Sequence, residues 1–296
     1  MEIRPAQATD AAAVCRIIRE ADDARIISEA GWHHWRSSAA PDEHAVHLVA
    51  VEGSEVVGVG VCGLNLWTSN PGAGWCGVAV AAAHRGRGIG SELLGGVLQR
   101  LDDVGATRAT GFVRFSEEGE RWAIARGWER KLTGPLIAVD PRTIPDASQP
   151  AGFRFAPMAE AAPEAVYDAF VEAARDEPRP EPIDSIPYDD FISDWRHPDI
   201  DFHASTAAFE GDRVVAFSEM RVVGDRGQHG FTGTRRDYRG RGLATAVKTV
   251  ALRAAAARGV TRVTTSNAEE NAAMRTVNRK LGFEPIGEHV IYGRDL

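Results

Sequence analysis

Apolar positions along the chain recur with two alternating periods. Around residues 10–24 and again around 159–175 they fall at helical spacing, in AAAVCRIIREAD and PEAVYDAFVEAARD, each after a short strand-like run. Strand-like stretches follow: HLVAVEG then EVVGVGVCGLNLW, and, later, FHASTAAFEG then RVVAFSEMRVV. Between them Glu52-Gly53 and Glu210-Gly211-Asp212 suit tight hairpin turns. A further strand, GWCGVAV at 74–80 and HGFTGT at 229–234, precedes a glycine-rich loop and an Ala/Leu-rich helix at 89–101 and 243–257. Those helices end at Gly105 and Gly259, where glycine suits the left-handed cap. Another strand, a helix and a last strand pair close each series.

The order is therefore repeated. RGRGIG at 85–90 and RGRGLA at 239–244 lie 154 residues apart, as do ATRAT and VTRVT. Near the end the spacing becomes 155, pairing Gly127-Trp128 with Gly282-Phe283. The Pro-, Asp- and Ser-rich stretch DPRTIPDASQPAG at 140–152 reads as a linker, which divides the chain into 1–147 and 148–296. The second copy also carries 178–201, broken repeatedly by proline and mixing aromatics with acids, which reads as a surface loop or a lid.

Composition narrows the function classes. A net charge of −8 argues against a broad nucleic-acid surface, which needs clustered Lys and Arg. Three cysteines, Cys15, Cys62 and Cys76, make neither a disulfide scaffold nor a zinc pattern, and Cys62 and Cys76 fall in runs expected to be buried. No metal site is expected. The start, MEIRPAQATD, has no apolar signal segment and no run is long enough for a membrane helix, so the expectation is a cytoplasmic protein with no membrane partner, monomeric or homodimeric.

The glycine-rich loops carry the chemistry. In Arg85-Gly86-Arg87-Gly88-Ile89-Gly90 and Arg239-Gly240-Arg241-Gly242-Leu243-Ala244, the glycines permit tight backbone turns between a strand and a helix. Successive N–H groups and the helix N-terminus then face one anion, and the arginines add charge at the rim. Two adjacent phosphates fit such a cradle. Neither loop has the spacing of a dinucleotide-binding fingerprint or the Lys-Ser/Thr of a Walker loop.

Both copies resemble the GCN5-related N-acetyltransferase family, whose signature [Q/R]-x-x-G-x-[G/A] is met by Arg85, Gly88 and Gly90 and by Arg239, Gly242 and Ala244. The resemblance implies an α/β (mixed α+β) fold: two tandem acetyltransferase-type domains, each a mixed, largely antiparallel sheet flanked by helices. It implies acetyl-CoA as cofactor, its pantetheine arm lying between splayed fourth and fifth strands. The main chain around Val78–Val80 and around Thr232, Gly233 and Thr234 would hold that arm and the thioester carbonyl.

The C-terminal half continues with TTSNAEENAAMRTVNRKLGF, in which Asn271, Met274 and Asn278 share one helix face and Asn267 is a cap or a site residue. This pattern resembles a subset of the family that includes mycothiol synthase, where the C-terminal domain is the active one. The first half has Phe112, Ser116, Gly119 and Ala123 at the matching places, so its domain reads as degenerate or structural. Alternation puts Phe217, Glu219 and Arg221 on one side of RVVAFSEMRVV; Glu219, the one acid of that strand, is the candidate base. His229 is a candidate relay or a surface residue. Many family members place a tyrosine acid where this chain has Asn278, so the thiolate would leave through water, with amide stabilisation, or with help from Tyr292. The expected acceptor is a small amine: a cysteine-containing pseudodisaccharide, aminoglycoside, polyamine or amino acid, with the acids at 189–201 suited to a cation. A protein or peptide N-acetyltransferase and a non-enzymatic acetyl-CoA sensor are the alternatives.

Overall fold

The computed structural model describes residues 1–146 and 148–296; Ala147, which ends the first copy in the sequence reading, lies outside the described residues. The first copy runs β1 (Glu2–Pro5), α1 (Ala11–Ala21), α2 (Glu29–Ser38), β2 (Val46–Glu52), β3 (Glu55–Leu64), β4 (Ala73–Val80), α3 (Ile89–Asp103), β5 (Arg108–Arg114), α4 (Glu117–Ile124) and β6 (Glu129–Val139). The second runs β7 (Arg154–Pro157), α5 (Pro163–Ala174), α6 (Tyr188–Trp195), β8 (Thr206–Glu210), β9 (Arg213–Val223), β10 (Arg226–Thr234), α7 (Leu243–Ala257), β11 (Arg262–Ser266), α8 (Ala272–Lys280) and β12 (Glu284–Asp295).

Local chemistry sets the ends. Gly105 and Gly259 take φ +79° and +88° just past α3 and α7. There Ala106 N–H reaches Leu101 O at 2.9 Å and Val260 N–H reaches Ala255 O at 3.1 Å, the doubled-back bonds of a glycine stop. Ser28 caps α2 by accepting from Gly31 N–H at 2.9 Å. The pattern reading places no helix at 29–38, because the run EAGWHHWRSS offers aromatics and histidines rather than an aliphatic stripe. Helix α6 is likewise a finding: it occupies the middle of the proline-broken stretch read as loop or lid, and Pro187 directly precedes it.

The chain forms two compact units that do not coincide with the two sequence copies. One is Met1–Thr133 with His289–Leu296; the other is Gly134–Glu288. In the first the strand order is β1-β2-β3-β4-β5-β12, in the second β6-β11-β10-β9-β8-β7. Each copy's final strand thus closes the other unit's sheet: His289–Asp295 pair antiparallel with Arg114–Arg108, and Leu136–Val139 with Ser266–Val263. The stretch after β6 read as a linker therefore begins inside the second unit. In each unit one pair is parallel among the described residues, β4 with β5 and β10 with β11, one step from the middle of the sheet.

Each sheet buries both faces. In the first unit, Val14, Cys15, Ile17 and Trp32 cover Val49, Val56 and Val59 on one side. Leu94, Val97 and Leu101 cover Cys62, Cys76 and Ala109 on the other. In the second, Ala251, Leu252 and Ala255 of α7 pack on Met220 and Val263. Fully burying such a side chain contributes about 1.5–3 kcal/mol.

Candidate active site

Each unit has a slot where its parallel pair separates. Strand β4 pairs with β5 only over Ala73–Trp75, and β10 with β11 only over Arg226–Gln228. Beyond those residues Cys76–Val80 and His229–Thr234 keep a ladder on one side only, which leaves main-chain donors and acceptors lining the gap.

At the end of each slot is a loop of the same shape. Gly86 and Gly88 take φ +75° and +87°; Gly240 and Gly242 take +75° and +79°. Gly88 and Gly242 begin α3 and α7 without any side-chain cap. A Cβ at Gly86, Gly88 or Gly240 would meet no protein atom within 4 Å. These glycines therefore serve the turn and an open approach, not internal packing, and the uncapped helix N–H groups face outward. Ile89 and Leu243, 2% and 1% exposed, anchor the first turn in the core. Gly90 and Ala244 lie in that same turn, and Gly90 faces Val80 at ordinary contact distance.

The arginines act differently from the rim charges the sequence suggests. Arg85 Nε donates to Val80 O and Arg239 Nε to Thr234 O, both at 3.1 Å, so each ties its loop to the strand before it. Arg87 bonds Glu52 at 2.9 Å, and Arg241 bonds Asp237 O at 2.9 Å while lying over the Tyr238 ring. In both loops the groups left uncapped at the helix start are main-chain amides.

The units differ in three ways. First, β10 carries a bulge between His229 and Thr232, whereas β4 pairs with β3 without interruption from Gly58–Val80 to Leu64–Gly74. A bulge frees a residue from the ladder and re-aims its neighbours.

Second, the bulge seats Glu219. Its Oε1 accepts from Arg221 Nε at 2.8 Å, and Arg221 also donates to Asp194 of α6 at 2.9 Å. A Cβ on Gly230 would lie 2.2 Å from that carboxylate oxygen, so only glycine at the bulge leaves room for it. Burial pushes the Glu219 carboxyl up, countered by Arg221. Helix α6 and α5 cover this face with Tyr167, Phe170, Phe191 and Trp195, their rings packed at tilted angles. Through the shared hairpin register and its shared irregularity, Glu219 corresponds to Val61 in the first copy.

Third, the α8 region is polar. Asn271 is the N-cap of α8, accepting from Met274 N–H at 3.1 Å, rather than a residue on its face. The reason is local: β11 ends at Ser266, and asparagine satisfies a first-turn N–H better than it extends a helix. Asn267 instead accepts from Asn278 Nδ2 at 2.6 Å, and its main chain presses on Gly134, where a Cβ would come within 2.1 Å of it. Asn278 is 1% exposed with its Oδ1 unpartnered.

Two of the three proposed catalytic side chains lie elsewhere than the sequence suggests. His229 is buried at mid-strand, not on the surface, and on the α7 side, opposite the Glu219 carboxylate. Its Nδ1 lies 3.1 Å from Ser218 Oγ, and burial holds it well below the usual imidazole range, so it is neutral. Tyr292 belongs to the first unit, paired with Gly111 of β5 and 3.4 Å from Glu120, because β12 crosses over before reaching it. It is not among the groups that the second unit brings together.

The acids at 189–201 are also partly committed. Asp194 pairs with Arg221, Asp201 with Arg258, and Asp199 is 4% exposed. Sequence reasoning missed Lys248 of α7, 1% exposed, with its ammonium 5.4 Å from the Phe283 ring and no carboxylate paired to it among the described residues. The available signal was its match to Leu94 across the repeat.

The family model for the acetyltransferase (GNAT) family matches residues 12–125 and 164–283. The chain belongs to the GNAT acetyltransferase family. It is an acyltransferase built of two tandem GNAT domains, and each match spans a slot and its glycine loop. Among solved structures it is similar to a tandem GNAT protein from the clavulanic acid biosynthesis pathway, with a TM-score of 0.77 and 21% identity over 99% of this chain and 98% of that one. It is also similar to a GCN5-related N-acetyltransferase from Sphaerobacter thermophilus, with a TM-score of 0.73 and 20% identity over 99% and 95%. A third is an acetyltransferase from Pyrococcus horikoshii, with a TM-score of 0.64 and 16% identity over 100% and 89%. At these identities the likeness concerns the fold. No curated protein matches the chain. Among the described residues no helix is long and apolar enough to cross a membrane.

Proposed function

We propose that the second copy transfers acetyl from acetyl-CoA to the primary amine of a small molecule, by direct attack in a ternary complex. The first copy, in this reading, keeps the cradle without the chemistry. One observation carries this: slot, glycine loop and a half-buried carboxylate occur together around β10, while the first unit has slot and loop but Val61 in place of the acid.

Acetyl-CoA, when bound, supplies an activated acyl carbon and a thiol leaving group. The residues present suit it. Main-chain N–H groups of Gly240, Arg241, Gly242, Leu243 and Ala244, with the α7 dipole, receive a diphosphate. The main chain of Thr232, Gly233 and Thr234, unpaired toward β11, binds an amide-bearing arm, and the Asn267–Asn278 pair lines the far side. Glu219 takes the proton from the attacking nitrogen at its carboxylate, which burial makes a stronger base than an ordinary glutamate. Arg221 holds the carboxylate in place and Asp194 holds Arg221. The aromatic layer of α5 and α6 excludes water from that face, and a helix seated there favours a compact acceptor over a peptide.

The test is thiol release from acetyl-CoA across small primary amines, with Glu219→Gln beside wild type. The proposal expects amine-dependent release that falls about 10²–10⁴-fold in the variant, the usual contribution of a general base. Equal rates would remove Glu219 from the chemistry.

A further inference from the structure

The second copy places polar side chains where the first has apolar ones or glycine. The strand registers and the repeat match Ser218 to Gly60, His229 to Cys76, Thr232 to Val78, Lys248 to Leu94 and Asn278 to Ala123. Cys76, Leu94 and Ala123, with Val78 against them, form a single apolar cluster in the first unit. An apolar filling therefore satisfies this fold, and the polar one is not a folding requirement. It also carries a cost, since unpaired polar groups and charges lose hydration on burial.

In the second unit these groups make a chain. His229 Nδ1 lies 3.1 Å from Ser218 Oγ, which lies 2.9 Å from Thr232 Oγ1. Ser218 and His229 are buried, 0% and 3% exposed, whereas Thr232 is half-buried and stands past the bulge, where β10 has left β11. At the other end His229 Nε2 is buried without a partner, and Lys248 is the charged group acting on that imidazole. Phe283 lies beside both groups, its ring centroid 6.1 Å from that of His229 and 5.4 Å from the Lys248 ammonium. The Glu219 carbonyl from β9 lies 3.4 Å from His229 Nδ1, and no carboxylate among the described residues acts on either His229 or Lys248.

We propose that Lys248, His229, Ser218 and Thr232 form a largely buried proton path that stabilises and then protonates the thiolate leaving from the slot, in a chain that has Asn278 where many family members place a tyrosine. This rests on the acetyl-CoA reading above. As the amine nitrogen bonds to the acyl carbon and the C–S bond breaks, sulfur keeps the electron pair. Thr232 Oγ–H passes its proton to sulfur, Ser218 Oγ–H replaces it, and His229 Nδ1–H replaces that. A water molecule carries a proton from Lys248 to His229 Nε2, which no group among the described residues bonds, and Lys248 regains one from solvent; the nitrogen's own proton leaves through Glu219. Burial brings the Lys248 ammonium down to about 7, so its proton is transferable near neutrality. Thr232 is the catalytic residue of this path; the other three act through it.

The test is the thiol titration of CoA itself, bound to the full chain and followed by thiolate ultraviolet absorbance, with binding confirmed by calorimetry. A free thiol ionises near pH ~8.5. Wild type is expected to lower that midpoint by about one unit, a roughly tenfold larger thiolate fraction on the acid side of pH 7. Thr232→Val and Lys248→Leu, which install the first copy's own residues, are expected to lose the shift, while Thr232→Ser retains it. Lys248→Met is a second route should Leu pack poorly. Variants that bind CoA and titrate as wild type does would overturn the path and leave the acetyl-CoA reading standing. Failure of wild type to bind CoA would remove both.

Discussion

Glu219 owes its position to what lies beneath it. The carboxylate rests over Gly230 in the β10 bulge and is held by Arg221, itself held by Asp194. Gly230→Ala places a methyl group where Glu219 Oε1 sits, so the account expects a loss of turnover of at least about tenfold with CoA affinity unchanged, since displacing a general base forfeits its contribution. Steady-state rates and calorimetry on the same protein check it. Lys248 makes a separate prediction. Its folded pKa is depressed, to about 7 from 10.5. The unfolded chain therefore binds more protons between those values, and stability should rise with pH across that window, by on the order of a few kcal/mol in total. Denaturant titrations at pH 7 and pH 10 should show the rise in wild type and its absence in Lys248→Leu. Of these residues, only Glu219 stood out in the sequence, as one acid in an apolar strand. Lys248 did not, because a lysine in an Ala-rich helix ordinarily faces water; only its match to Leu94 betrays burial. Asn271 was legible as polar and misplaced by one turn, because capping and facing residues look alike before the helix start is known.

Among the elements, the strand–loop–helix cradle was the most legible, since glycines at fixed offsets before an Ala/Leu helix have one economical backbone solution. Their φ values of +75° and +79° at Gly240 and Gly242 make a direct prediction. Gly242→Ala forces a Cβ into the left-handed region at a cost of roughly 1–2 kcal/mol and re-aims the first amides of α7. Weaker CoA binding, measured by calorimetry, is the expected result. The bulge in β10 was not legible, because one extra residue in a strand leaves the alternation of its neighbours almost intact. Helices α2 and α6 were hidden for opposite reasons. Tryptophans and histidines obscured the first, and prolines on its N-terminal side made the second read as loop.

For the whole molecule, the repeat announced two domains, but not that each closes its sheet with the other's last strand. Nothing in a strand's own sequence names its partner: β6 and β12 carry the same alternation whichever edge they join. A chain cut at the linker, 148–296, would lack Leu136–Val139 and leave β11 with an open edge. That fragment is expected to be less stable and more prone to self-association than the intact chain, by thermal melting and sedimentation.

The central claim is that a general base acts in one unit only. The rate–pH profile of amine-dependent thiol release from acetyl-CoA tests it most directly, in wild type and Glu219→Gln. The account predicts a wild-type rate rising through a carboxyl titration above the ordinary glutamate range, with that limb missing from the variant and cofactor affinity the same in both. Superimposable profiles would contradict it.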